Sequence, residues 1–468
     1  MVDWEGPLTE AYERATTYLG GLPERRVGPR ASAAELRAKL GGPLPGGPSD
    51  PREVVARLAA GVEDGLLASG SGRFFGFVFG GATPASLAAD WLTTAWDQNA
   101  GLYAASPAAA VIEDITAGWL TELFGLPTGT SVGFVTGAQM ANFTGLAAAR
   151  HEVLRRAGRD VERQGLIGAP AVRVLAGAER HDTIDRALRF LGLGTDCIVP
   201  VAVDDQGRMR PDALVEALQD DATGASGGRG TGPTVVCTQV GNVNTGAFDP
   251  LREICEVARA NGAWVHVDGA FGLWAAVSSR LSPLLDGVDL ADSWATDAHK
   301  WLNVPYDSGL VLCAHPEAHR AAMSIRASYL IQDEIGERDP LDYNPEFSRR
   351  ARGIPVYAAV RALGRTGIAE IVDRCHAMAA RFADALRAGG ADILNDVVLN
   401  QVLVRFGNDD AVTRRVVAEV QRDGTCWMSG TTWQGRAAMR ISVTNWTTGR
   451  DDIDRSAEAV LRVLRKVS

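Results

Sequence analysis

"PTVVCTQVGNVNTGAFDPLREICEVARANGAWVHVD", residues 233–268, decides the fold. It opens on a β-branched run, "PTVVCTQV", passes through a Gly/Asn turn into a helical segment, "PLREICEVARANG", and closes on a second apolar run, "WVHVD". Strand, helix and strand in so short a length make a parallel unit, because a parallel partner needs a crossover long enough to hold a helix.

The same alternation extends on both sides. "SVGFVT" precedes "MANFTGLAAARHEVLRRA", "AVRVLAG" precedes "HDTIDRALRFLGL", and "CIVPVAV" precedes "PDALVEALQD"; "DSWATDA" and "GLVLCA" follow. The pattern predicts an α/β fold with a mostly parallel, doubly wound sheet. Upstream, residues 1–50 combine a helix over 9–20 with the Pro/Gly-rich "GPRAS" and "GGPLPGGPSDP", an arm with too little apolar periodicity for its own core. "LAADWLTTAWDQNAG" and "AVIEDITAGWLTELFGL" read as amphipathic helices. Downstream, a helix over 369–388, strands at "VVLNQVLVRF" and "MRISVTN", and a closing helix form a smaller α+β unit. The expected domains are 1–75, 76–368 and 369–468. "DATGASGGRGTG", 221–232, reads as a surface linker rather than a phosphate loop, since no strand leads into it.

The chain has 468 residues, enough for two or three structural units. Its 47 Lys+Arg against 57 Asp+Glu give a net charge of −10, with no basic stripe, which argues against nucleic acid and anionic membrane as partners. Neither a secretory leader nor an apolar run long enough to span a bilayer is visible. The six cysteines are scattered singly, reading as small buried hydrophobes in a reducing compartment and not as zinc ligands. The expectation is a cytoplasmic protein without a metal.

In open α/β sheets ligands bind beyond the carboxyl ends of the strands, so the residues just after each strand matter most. Asp268 ends "WVHVD"; as a turn residue it needs no explanation, but a strand-end carboxylate also suits a cationic partner. Lys300 follows "DSWATDAH", 300 − 268 = 32 residues on. His181 opens a helix after "AVRVLAGAER". Gly137, Ala138 and Gln139 make a small-residue turn into a helix, whose free amides suit an anion. Together these supply what pyridoxal 5′-phosphate requires: a lysine for a Schiff base, a carboxylate for the pyridine nitrogen, a flat partner for the ring, and a helix N-terminus for the phosphate.

The pieces and their order resemble the group II pyridoxal-phosphate-dependent decarboxylases, among them the aromatic-L-amino-acid, histidine and glutamate decarboxylases. The motifs that carry the resemblance are "VTGAQMANFTGLAAAR" (135–150), "RHDTIDRALRFLGLG" (180–194), "GNVNTGAFDPL" (241–251), "HVDGAFG" (266–272) and "DAHKWLNVPYDSG" (297–309), within 75–365. The resemblance implies a fold-type I enzyme, aspartate-aminotransferase-like: a large domain with a seven-stranded sheet, a small C-terminal domain and an N-terminal helical arm. It implies that Lys300 forms the Schiff base, Asp268 pairs with the pyridine nitrogen, and Ala270 lies beneath the ring. His181 would stack above the ring, and His299 would stand near the phosphate as a proton-transfer candidate. Gly137, Ala138 and Gln139 would cradle the phosphate, and Asn244 would lie near the ring substituents.

Two departures stand out. The family commonly has Asn where this chain has Asp297; a carboxylate near a phosphate is unfavourable, so Asp297 is expected to point away. The aromatic decarboxylases carry a loop tyrosine that protonates the reacting carbon, and here only Tyr329 and Tyr343 lie in the corresponding stretch, neither cleanly aligned. Tyr343 and Arg440 are candidate substrate contacts. Trp294, Trp301, Trp427, Trp433 and Trp446 read mainly as core, and Arg349, Arg350 and Arg352 as braces for the lysine's loop or a dimer.

The resulting expectation is decarboxylation of an L-amino acid by a homodimer with shared active sites, the N-terminal arm wrapping the partner. An aldehyde synthase, a C–C lyase or an aminotransferase on the same scaffold, and a silent cofactor-binding protein, are the alternatives.

Overall fold

The computed structural model describes residues 2–222, 232–325 and 336–467. The segment read as a linker and Tyr329 therefore lie, wholly or nearly so, outside the described residues. Two compact units emerge: Gly80–Ala380 with Asn395–Val402, and Met1–Phe79 with Arg381–Leu394 and Leu403–Ser468.

The first unit is built on a seven-stranded sheet: β1 (Ser131–Val135), β2 (Arg173–Gly177), β3 (Ile198–Val201), β4 (Thr234–Gln239), β5 (Trp264–Asp268), β6 (Ser293–Asp297) and β7 (Gly309–Cys313). Their order across the sheet is β1-β7-β6-β5-β4-β2-β3. β7 runs antiparallel to β1 and β6, and the remaining pairings are parallel. A mostly parallel sheet is covered on both faces, which is why β2, β4, β5, β6 and β7 are buried along their whole length instead of alternating. Leu146, Val153, Val174, Ile184, Leu188 and Trp264 belong to one buried apolar cluster in this unit. Trp294 and Trp301 are also fully buried. The carboxyl ends of β1, β2, β4, β5 and β6 share one edge of the sheet, because β7 reverses direction between β6 and β1.

The second unit carries a four-stranded sheet of β8 (Asp392–Ile393), β9 (Gln401–Arg405), β10 (Ser429–Trp433) and β11 (Arg436–Ser442), in the order β10-β11-β9-β8. Arg440 stands on β11 opposite Ser429. The helix expected over 369–388 lies within Gly353–Ala388, which is two helical segments meeting at Gly364, where φ is +60° and the backbone is not helical. Among the described residues, no helix is long and apolar enough to cross a membrane.

Candidate active site

Gly137 N-caps the helix Ala138–Arg156, and a side chain there would crowd its neighbours. A Cβ on Gly137 would lie 3.1 Å from His299 Cε1 and 3.3 Å from Asp297 Oδ1, and one on Gly309 would lie 2.4 Å from Gly137 Cα. The turn is thus pressed between β7 and the residues that follow β6.

Asp268 ends β5 and is buried. Its Oδ2 accepts from Asn142 Nδ2 at 3.1 Å and its Oδ1 from the Ala270 amide at 3.2 Å. Ala270 in turn accepts the Asp297 amide at 2.9 Å, which brings the turn after β5 alongside β6. Behind Asn142, proton counting fixes the direction of every bond. Asn142 Nδ2 faces a carboxylate, so its Oδ1 faces His266 Nε2 at 3.0 Å, and that nitrogen donates. Burial pushes the His266 imidazole down to about 3, so the ring is neutral and Nδ1 accepts from the Ser293 hydroxyl at 2.8 Å. The Ser293 oxygen accepts from Trp264 Nε1 at 3.0 Å. The second Asn142 proton goes to Thr183 Oγ1 at 3.1 Å, whose own proton goes to His181 Nδ1 at 3.0 Å. His181 caps the helix Asp182–Phe190 by accepting the Thr183 amide with the same nitrogen. One unbroken chain of donors therefore begins at Trp264 and branches to Asp268 and His181, which line a common cleft with Arg180 and Gln239.

The end of β6 is arranged differently. Lys300 Nζ lies 2.8 Å from Asp297 Oδ2. Asp297 Oδ1 accepts the Ala138 amide at 2.5 Å, and His299 Nε2 lies 3.3 Å from the same oxygen. Ser308 donates its amide to His299 Nδ1 at 3.1 Å, which leaves Nε2 to carry the proton. Burial holds the His299 imidazole below its usual range, with the Asp297 charge opposing. The expectation that Asp297 points away is overturned: its carboxylate is buried and faces the helix N-terminus. The reason is local, since the Ala138 amide, the imidazole and the ammonium all converge on the one acceptor within reach. The Ala138 amide is consequently engaged, and the Met140 amide returns to the Gly137 carbonyl at 2.9 Å.

Of the remaining candidates, Gln139 lies on the helix that opens at this turn, Asn244 follows β4, and among the described residues no contact with the centre is seen for Tyr343 or Arg440. Gln139 Nε2 donates to the Thr183 carbonyl at 3.3 Å, away from the turn's amides. Asn244 is buried in a turn organised by Asn242, whose Oδ1 accepts the Asn244 and Thr245 amides at 2.9 and 3.2 Å. Tyr343 packs edge-on against His319 with Arg338 over its ring. Burial lowers the Arg440 guanidinium to about 10. The arginines after 348 do brace this unit: Arg349 pairs with the buried Glu113 at 2.7 Å, Arg350 with Asp90 at 2.8 Å, and Arg352 with Asp307 of the lysine's loop at 2.7 Å. Sequence reasoning missed Asn142, His266, Ser293 and Trp264, which only tertiary structure joins. It missed Tyr306 too, whose ring stacks on His299 at 4.2 Å between centroids. Asn142 carried a faint signal, lying one helical turn beyond Ala138.

Among the described residues no cluster of His, Cys, Asp and Glu could hold a metal ion. None of the six cysteines is in a disulfide, and five of them are buried. Pyridoxal phosphate fits the donor set: a lysine and a carboxylate end adjacent strands, and an amide, an imidazole and an ammonium gather at a helix N-terminus. The Asp297 carboxylate is the one group out of keeping.

Residues 44–406 match the model of the pyridoxal-dependent decarboxylase conserved domain. The chain is 26% identical to the aromatic-L-amino-acid decarboxylase of Bacillus atrophaeus, over 98% of this chain and 93% of that one. It is 26% identical to the 4-hydroxyphenylacetaldehyde synthase of Rhodiola rosea, over 89% and 85% of the two chains. Its fold is that of Oryza sativa TDC, crystallised with PLP and tryptamine, with a TM-score of 0.90, 24% identity and coverage of 98% and 97%.

Proposed function

This chain belongs to the pyridoxal-dependent decarboxylase family, and from that premise we propose that it removes the carboxyl group of an L-amino acid as CO2 and releases the amine, with Lys300 as the cofactor's anchor. The observation that carries this reading is the placement of Lys300 and Asp268 at the same edge of adjacent strands. Pyridoxal phosphate, when bound, supplies an electron sink for the pair left behind when CO2 departs.

The chain's own residues divide the remaining work. Lys300 would hold the cofactor through its amine. Asp268, fixed by Asn142 and the Ala270 amide, would keep a positive charge on the pyridine nitrogen. His181 faces the same cleft, with Nδ1 tied to Thr183 and Nε2 left as the protonated nitrogen. His299, neutral and carrying its proton on Nε2, is the group placed to pass a proton near Lys300.

The assembly we propose is a homodimer in the cytoplasm. Trp91, Leu92 and Trp96 are 40, 48 and 51% exposed on the helix Pro84–Trp96, and Val111 and Ile115 add to the exposed apolar surface of this unit. At the N-terminal arm Trp4, Leu8 and Tyr12 recur every fourth residue, 72, 60 and 58% exposed, which suits a helix that wraps a partner. Light scattering at micromolar concentration tests this, and a monomer would sink it.

The test of the reaction is incubation with each L-amino acid while CO2, amine, aldehyde and O2 are followed. Equal amounts of CO2 and amine, lost in Lys300→Ala, support the reading. Aldehyde in place of amine, with ammonia and hydrogen peroxide formed and O2 consumed, would overturn it in favour of an aldehyde synthase, as the Rhodiola rosea relative is named. A protein that binds the cofactor and turns over no amino acid would overturn the reading.

A further inference from the structure

The donors that an incoming phosphate would seek are already gathered on a carboxylate of this chain. Asp297 takes the Ala138 amide, the Lys300 ammonium and the approach of His299 Nε2 onto its two oxygens, while buried to 2% exposure. The turn is closely packed: a Cβ on Gly309 would lie 2.4 Å from Gly137 Cα, and one on Gly137 would lie 3.1 Å from His299 Cε1 and 3.3 Å from Asp297 Oδ1. A free amide at a helix N-terminus suits an anion, and here the Ala138 amide already carries one from this chain. We propose that Asp297 is an internal stand-in for the cofactor's phosphate: it closes the cradle and holds Lys300 in the cofactor-free protein, and it must give up the Ala138 amide for the phosphate to seat.

This inference rests on the reading that Lys300 and the Gly137 turn receive the cofactor, and it adds a competition that the reading does not require. Two like charges cannot share one set of donors in a buried site without a large penalty. The carboxylate therefore weakens binding of a phosphate-bearing ligand, and leaves a ligand without phosphate largely unaffected at that point. Asparagine in the same place keeps an oxygen for the Ala138 amide and removes the charge.

The experiment uses apoprotein prepared from the holoenzyme and two probes, pyridoxal 5′-phosphate and pyridoxal, titrated by absorbance into the wild type and Asp297→Asn. Imine chemistry at the lysine is common to both probes, so the ratio of their affinities isolates the phosphate. The expected result is a rise in that ratio by about ten-fold or more in Asp297→Asn. An unchanged or lower ratio overturns the proposal. A wild-type protein that shows no absorbance change with either probe, or a change retained in Lys300→Ala, would instead defeat the assignment of the anchor. If Asp297→Asn does not fold, the wild type alone decides: inorganic phosphate at millimolar concentration should barely slow rebinding of the cofactor, and strong inhibition would show that the donors were free and the proposal wrong.

Discussion

Asp268 and Asp297 end neighbouring strands of one sheet, both buried, and they are held by opposite means. Asp268 sits at the end of a relay in which every donor has one acceptor, from Trp264 through Ser293, His266 and Asn142. Asp297 sits at a crossing where several donors compete for one carboxylate. The first arrangement resists change, because removing any member leaves a buried group unpaired. The second invites exchange, because another anion with the same geometry satisfies the same donors. On the proposed roles, the difference separates what a cofactor enzyme must keep rigid, the support of the ring, from what must open and close, the seat of the phosphate.

The comparison breaks most sharply at His266. His266→Leu leaves Asn142 Oδ1 without its donor and the Ser293 proton without its acceptor, and the expected loss is about 2–4 kcal/mol of stability, read by urea denaturation of the apoprotein. Cofactor affinity should fall with it, whereas Ser293→Ala, which leaves Trp264 Nε1 and His266 Nδ1 unpaired at the end of the relay remote from Asp268, should cost less of that affinity. Equal stability for His266→Leu and wild type would mean that the relay contributes nothing.

Acid tests the same region. The folded-state value of about 3 for His266, lowered by burial from 6.5, means that the unfolded chain binds a proton there that the native state refuses. The neutral ring's contribution is complete above pH 6.5 and is lost as pH falls from 6.5 towards 3, at up to about 1.4 kcal/mol per pH unit. His319, lowered by burial to about 3, adds a second loss of the same sign. Asp249 opposes them in part: burial raises it to about 6, so its contribution is present below 3.8 and lost as pH rises through 6. The net expectation is a melting temperature that drops on acidification below pH 6.5, with a shallower drop in His319→Gln. A flat profile from pH 6.5 to 4 would contradict the neutral assignment.

On the other side of the comparison, Asp297→Asn should change apoprotein stability by no more than about 1 kcal/mol, since the cap is retained and an ion pair at a partly exposed lysine contributes little. A loss of several kcal/mol would make Asp297 a structural residue of the same kind as His266. The smallest effect is expected at Tyr306, 55% exposed where it stacks on His299. Tyr306→Leu should cost under about 1 kcal/mol by the same denaturation assay.

Much of this was legible in the amino-acid order. The strand ends that carry Asp268, Lys300 and Gly137 follow from apolar runs broken by charged or small residues, and parallel topology then sends them to one edge. The start of the second segment of Gly353–Ala388, just past Gly364, was not legible to the residue, because apolar spacing marks a helix's buried face and not its first turn. Nor was the Asp268 relay, whose two links at Asn142 join residues more than a hundred positions apart: Asn142 lies 124 positions from His266 and 126 from Asp268. The orientation of Asp297 was missed for a different reason. Charge repulsion with an expected ligand argued that it turns out, while the donors of its own chain, present whether or not a ligand is, turn it in.

The contact between Gly137 and Gly309 has a consequence for how such a protein can be retuned. Val135 is registered opposite Gly309, so the Gly137 turn is welded to the hydrogen-bond register of β1 and β7. Backbone drift is closed to it as a route of adaptation, in evolution or in the laboratory, because any shift of the turn drags the β1–β7 pair along. A variant that accepts a differently charged or shortened cofactor must then arise through side chains at the rim, and selection experiments should recover changes at Asp297 and His299 long before any at the two glycines.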